Sequence, residues 1–145
     1  MIVYADTSFL VSLFYENDVN HKAAQKIQDK HDNDDFVVCV VHQLELPAAV
    51  RAGIFREKNP LPEYTARKII NRFDRAILKK AFQRKELDLP DSVNMARSLG
   101  DAHGWKKRHT SFDLWHLGAA WTLAAGAFLT FDRRQKEIAR LLGMA

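Results

Sequence analysis

Four acids of this 145-residue chain, Asp6, Glu45, Asp113 and Asp132, occupy places that give them chemical meaning. Asp6 directly follows the apolar run Ile2-Val3-Tyr4-Ala5, and Asp132 follows Phe128-Leu129-Thr130 by two residues. Glu45 falls in the first turn or so of an expected helix, and Asp113 lies two residues past Ser111, the expected N-cap of another. If the apolar runs are parallel strands, all four acids gather at the carboxyl edge of one sheet, where the working groups of such sheets collect. Taken singly, each has a plain structural reading: the helix macrodipole favours an acid in a first turn, and turns favour aspartate. Taken together, four carboxylates repel unless a cation lies among them. Hard divalent ions such as Mg²⁺ or Mn²⁺ take oxygen ligands and leave positions open for a phosphate. Such an ion activates water and stabilises charge on phosphorus, so a phosphodiester is the natural substrate. The spacings of 39, 68 and 19 residues carry no specificity by themselves.

The elements that must position these acids follow from the hydrophobic pattern. Residues 2–5 read as a strand, Asp6-Thr7-Ser8 as a turn in which Thr7 or Ser8 caps the next helix, and Phe9, Leu10, Leu13 and Phe14 as its apolar face. A helix is expected from about His21 to Lys30, a loop at 31–35, and a strand over Phe36–Val41 whose lack of alternation suits burial on both faces. His42 to Phe55 reads as a helix ending near Gly53 with Pro47 in its early turns, and Thr65 to Gln83 as an amphipathic helix. Further on, the pattern predicts a short strand over Glu86–Leu89 ending at Pro90 and a helix closing near Gly100. It then predicts a helix from Ser111 to Ala125, a strand over Ala127–Thr130, and a last helix from about Gln135 to Leu142 stopped by Gly143. Strands alternating with helices imply an α/β fold with a mostly parallel central sheet sandwiched by helices, in one domain spanning 1–145.

Composition narrows the class. No stretch approaches the ~20 apolar residues of a membrane span, and the N-terminus has no basic residue ahead of its apolar run, so a cytoplasmic protein is expected. The lone cysteine, Cys39, reads as a small buried hydrophobe. The net charge of +4 is uneven: Arg67–Lys85 holds eight basic residues and one acid, leaving the remainder of the chain acidic. Lys68, Arg72, Arg75 and Lys79 recur at spacings of four, three and four along one helix face. Such a face attracts nucleic-acid phosphates by counterion release, although it can also meet an acidic protein.

Asp6-Thr7-Ser8 after an apolar strand, Leu44-Glu45-Leu46 opening a helix, Ser111-Phe112-Asp113-Leu114-Trp115-His116-Leu117-Gly118-Ala119-Ala120, and Leu129-Thr130-Phe131-Asp132 occur in this order. In this order and setting they resemble the PIN-domain ribonucleases, and most of all the VapC-type toxins of toxin-antitoxin pairs. The resemblance implies a metal-dependent endoribonuclease with Asp6, Glu45, Asp113 and Asp132 as the acidic Mg²⁺ or Mn²⁺ site. It implies Thr7, Ser8 and Thr130 as hydroxyl neighbours, His116 in support, RNA as substrate, an antitoxin partner and a homodimer. The chain departs from such toxins at Thr110, where a basic residue is common, and at Pro47-Ala48-Ala49, where an Asn often follows the Glu; both bear on substrate choice.

Arg133 and Arg134, next to Asp132, are placed to touch a substrate phosphate together with Lys68, Arg72, Arg75 and Lys79. His116 reads more as an orienting group than a catalytic one, and His42 as a neighbour of a helix cap. Trp105, Trp115 and Trp121 could stack on unpaired bases, but Trp115 and Trp121 sit at helical positions that suit a core or a dimer contact. Six scattered histidines without paired cysteines make no zinc site. A haloacid-dehalogenase-like phosphatase needs a second acid where this chain has Ser8, and a response-regulator receiver needs neighbouring acids after the first strand. The alternative to the enzyme is a catalytically silent PIN-like module that binds RNA or protein.

Overall fold

The computed structural model describes Met1 to Ala145. The chain runs β1 (Ile2–Ala5), α1 (Thr7–Phe14), α2 (His21–Asp29), β2 (Asp35–Val38), α3 (Val40–Ala52), α4 (Glu63–Leu78), β3 (Gln83–Arg84), α5 (Leu89–His103), α6 (Ser111–Thr122), β4 (Ala127–Leu129) and α7 (Arg133–Leu141), with a 3₁₀ turn at Gly53–Phe55. The strands form one sheet in the order β3-β2-β1-β4, and every pair is parallel. The expected parallel α/β sandwich is therefore the observed one.

The sheet splits the interior in two because successive strand residues face opposite ways. Val3 and Ala5, Phe36 and Val38, and Ala127 and Leu129 face a core shared with Phe9, Leu10, Ala24, Leu46, Ile69 and Phe73 from α1 to α4. Tyr4, Val37 and Phe128 face the other way, against Leu99, Leu117, Ala120 and Ile138 from α5 to α7. Every one of these strand residues is buried, which explains apolar runs without alternation. Gly118 lets α6 approach α5 closely: a Cβ there would stand 2.4 Å from the carbonyl oxygen of Ser92.

Several local expectations fail for identifiable reasons. The second strand ends at Val38 and α3 begins at Val40, because Val41 is buried from the helix rather than from the sheet. The amphipathic helix stops at Leu78, where Lys80 takes a left-handed φ of 58° and Phe82 turns back into the core. The third strand is Gln83–Arg84 instead of Glu86–Leu89. Pro90 opens α5 instead of ending a strand, since a first helical turn has no need of its missing N–H.

Candidate active site

The termini of these elements place the four acids. Asp6, the residue after β1, is the N-cap of α1, in place of Thr7 or Ser8: its Oδ1 accepts the Phe9 N–H at 2.7 Å. Both of its oxygens also accept from Ser8 Oγ at 2.9 Å, and Oδ2 accepts from Thr130 Oγ1 at 2.7 Å. Asp6 is only 2% exposed, and burial raises its carboxyl above the usual range despite these donors. Thr130 Oγ1 in turn accepts the Asp132 N–H at 2.9 Å, so one hydroxyl at the end of β4 joins two of the acids.

Glu45 lies in the second turn of α3, beyond reach of the helix N-terminus, so capping does not account for it. Its Oε2 accepts from Thr7 Oγ1 and from His116 Nε2, the latter at 2.5 Å. Burial opposes its ionisation, but the hydrogen bonds from His116 and Thr7 hold the carboxyl below its usual range. Asp113 is a capping acid in the strict sense. Thr110, not Ser111, is the N-cap of α6; its N–H donates to Asp113 Oδ2 at 2.8 Å, and its hydroxyl accepts the Asp113 N–H. Asp113 Oδ1 accepts from Gln135 Nε2 at 2.9 Å. Asp132 caps α7 through Arg134 N–H at 2.7 Å and is gripped by the Arg134 guanidinium, which holds its carboxyl below the usual range.

Asp6, Glu45, Asp113 and Asp132 line one cleft of about 420 Å³ together with Thr7, Ser8, His116 and Gln135. As oriented, no three of the carboxylates, histidines and the cysteine form a ready ligand set, and each of the four carboxylates is engaged by protein donors. Among the side-chain oxygens of the four acids and Gln135, Glu45 Oε1 and the buried Gln135 Oε1 have no protein donor.

The basic helix face expected to hold RNA falls elsewhere, and the basic residue that lines the cleft is Arg56. Lys68, Arg72 and Arg75 border a separate surface hollow on α4, and neither they nor Lys79 line the cleft. Arg72 is held by Glu16 and by the Phe14 carbonyl at 2.9 Å, so it ties α4 to the loop after α1. Both Arg133 and Arg134 are exposed, but Arg134 is engaged with Asp132 and with the Arg108 carbonyl at 2.6 Å. Trp115 is partly buried and donates to Ser92 Oγ at 3.1 Å, as a packing residue does, while Trp105 is 85% exposed.

Two site residues were invisible in the pattern. Gln135 carries no motif, and only its place in the first turn of the helix after Asp132 marks it. Tyr4 reads as one more apolar strand residue, yet its hydroxyl meets His116 Nδ1 at 2.8 Å; the signal was its alternation toward the face covered by α6.

A parallel sheet with a carboxylate-lined cleft at the carboxyl ends of its strands defines an α/β protein built to gather acids. The PIN domain family model matches residues 3–141, and the chain belongs to that family. Its fold is similar to that of VapC20 from Mycobacterium tuberculosis, a sarcin-ricin loop cleaving toxin, with a TM-score of 0.69 at 12% identity over 94% of each chain. It is also similar to VapBC2 from Rickettsia felis, solved bound to a DNA fragment from its promoter. There the TM-score is 0.64 at 15% identity, covering 99% of this chain and 96% of that one. At these identities the likeness is one of fold. No curated protein sequence matches the chain.

Proposed function

We propose that this protein is a metal-dependent endoribonuclease acting as the toxin of a toxin-antitoxin pair, with residues 1–145 as one nuclease unit. The observation that carries the reading is the convergence of four carboxylates on one cleft of a PIN domain. The donor chemistry fits a hard divalent ion: the lining is rich in oxygen, and the buried Gln135 Oε1 has no protein donor. Mg²⁺ or Mn²⁺ would be held by Asp6, Glu45, Asp113 and Asp132, and when bound would supply activated water and charge stabilisation at phosphorus. The chain's own residues prepare that site. Ser8 and Thr130 fix the Asp6 carboxylate, and Thr7 and His116 fix Glu45. Arg134 balances the charge of Asp132.

RNA phosphates are held, on this reading, by the exposed Arg133 and by Lys68, Arg75 and Lys79, with Arg72 keeping that helix against the loop at Glu16. An antitoxin partner belongs to the same proposal, supported by the fold shared with VapBC2; a homodimer and a cytoplasmic setting are part of it as well. No helix is long and apolar enough to cross a membrane.

The test is cleavage of cellular RNA by purified, inhibitor-free protein with Mg²⁺ or Mn²⁺. Cleavage is expected, and Asp6→Asn and Asp113→Asn are expected to abolish it while remaining folded. Absence of cutting, or full activity in both variants, replaces the enzyme with a silent binding module.

A further inference from the structure

Behind Glu45 lies a buried chain of polar groups that the acids alone do not explain. Tyr4 sits in the middle of β1, fully buried, and its hydroxyl crosses to His116 Nδ1 at 2.8 Å beneath α6. The opposite ring nitrogen, Nε2, meets Glu45 Oε2 at 2.5 Å and Thr7 Oγ1 at 3.1 Å. The only other polar neighbour of the Tyr4 hydroxyl is Cys39 Sγ at 3.7 Å, a weak acceptor.

The proton positions follow from what each group can do. An ionised carboxylate only accepts, so the Nε2 facing Glu45 must carry a hydrogen. Burial keeps the Tyr4 phenol protonated, and its better acceptor is His116 Nδ1, so the hydroxyl donates there. The neighbouring His42 cannot disturb this arrangement. Its Nδ1 accepts the Cys39 N–H at 3.1 Å, its Nε2 donates to the Ala5 carbonyl at 2.8 Å, and burial lowers its pKa to about 3, so it stays neutral. Its ring packs 4.5 Å from that of Tyr4 and 5.1 Å from that of His116, walling in both.

We infer that Tyr4 is a positioning residue of the site: its hydroxyl fixes the His116 ring through Nδ1, and the ring so held grips Glu45 by Oε2 and leaves Oε1 without a donor. Without that hydroxyl the buried Nδ1 loses its hydrogen-bond partner, and the ring is freer to turn and loosen its hold on Glu45. The inference rests on the nuclease reading for its catalytic consequence but not for the hydrogen bond.

The experiment uses Tyr4→Phe, which keeps the buried ring, and His116→Gln, whose amide can still donate toward Glu45 without needing Tyr4. Nitrogen chemical shifts of ¹⁵N-histidine-labelled protein read the tautomer directly. Wild type is expected to show His116 protonated at Nε2 with Nδ1 accepting a hydrogen bond, and Tyr4→Phe the same tautomer with Nδ1 shifted to the value of a nitrogen without a donor. A wild-type proton on Nδ1 opposite a neutral Nε2, or an Nδ1 signal unmoved by Tyr4→Phe, overturns the proposal whether or not the protein cuts RNA. In cleavage assays Tyr4→Phe is expected to lower kcat by roughly 10- to 100-fold, the range for groups that orient ligand side chains, with KM unchanged. In the His116→Gln background it should cost nothing further. An equal loss in both backgrounds shows Tyr4 acting through packing rather than through His116, and ends the inference.

Discussion

The two walls of the cleft hold their acids with different donors. On the β1 and α3 side, Asp6 and Glu45 are held from behind by hydroxyls, a backbone N–H and a histidine, with no lysine or arginine among the donors. On the α6 and α7 side, Asp113 and Asp132 stand at helix N-termini and are held by backbone caps, an amide and the guanidinium of Arg134. The first wall builds an electrostatic cost into the fold, since burial opposes the ionisation of Asp6. The second wall is already balanced by a cation of its own. A site of this kind needs something positive on the first wall more than on the second.

Substitutions should separate the walls. The largest effect is expected from Asp6→Asn, which should lower RNA cleavage by roughly 10³-fold or more, as removal of a group acting within a catalytic unit does. The same change should raise the thermal midpoint of metal-free protein at pH 7. The sign follows from linkage: an acid with a raised folded pKa costs stability as pH climbs through that pKa, and below the unfolded value near 3.8 the cost vanishes. The gain over wild type should therefore be present at pH 7 and gone by about pH 4. A loss of stability at both pH values would show that Asp6 is held mainly by its hydrogen bonds.

Thr130→Val comes next. It removes the hydroxyl that donates to Asp6 and accepts from the Asp132 N–H, and should cost about 1–2 kcal/mol in urea unfolding. On the second wall, Arg134→Gln should tighten Mn²⁺ binding by up to roughly fivefold in calorimetry, the worth of an exposed ion pair, because the guanidinium and the metal compete for Asp132. Weaker binding would instead make Arg134 part of the site's support. The smallest effect belongs to the face outside both walls. Replacing Lys68, Arg75 and Lys79 with Gln should flatten the salt dependence of RNA affinity by up to roughly 0.7 per lost phosphate contact. Lost inhibition by an antitoxin with unchanged RNA binding would assign that face to the partner instead.

The first wall was more legible in the sequence than the second. An apolar strand ending in Asp6 can be read directly, because the strand's two-sided burial leaves a continuous signature. Glu45 was placed in a first turn and lies in a second, since the boundary between β2 and α3 falls inside one apolar run, where hydrophobicity cannot distinguish strand from helix. The partners of the acids were the least visible. His116 was in view through the Asp-x-x-His spacing, but Tyr4 and Gln135 act through contacts 112 and 22 residues away along the chain, which no local pattern encodes. The charge arithmetic found the basic helix but not the ion pair that ties Arg72 to Glu16, because pairing across the fold depends on how the helices dock.

If the four acids hold a divalent cation, thermal unfolding with and without Mn²⁺ must register it. Binding only to the folded form must stabilise it, by about 2.7 kcal/mol when the metal exceeds its dissociation constant a hundredfold. Wild type should show a midpoint that climbs with millimolar Mn²⁺, and Asp6→Asn a midpoint that does not. A wild-type midpoint unmoved by the metal, or an equal climb in Asp6→Asn, would contradict the account.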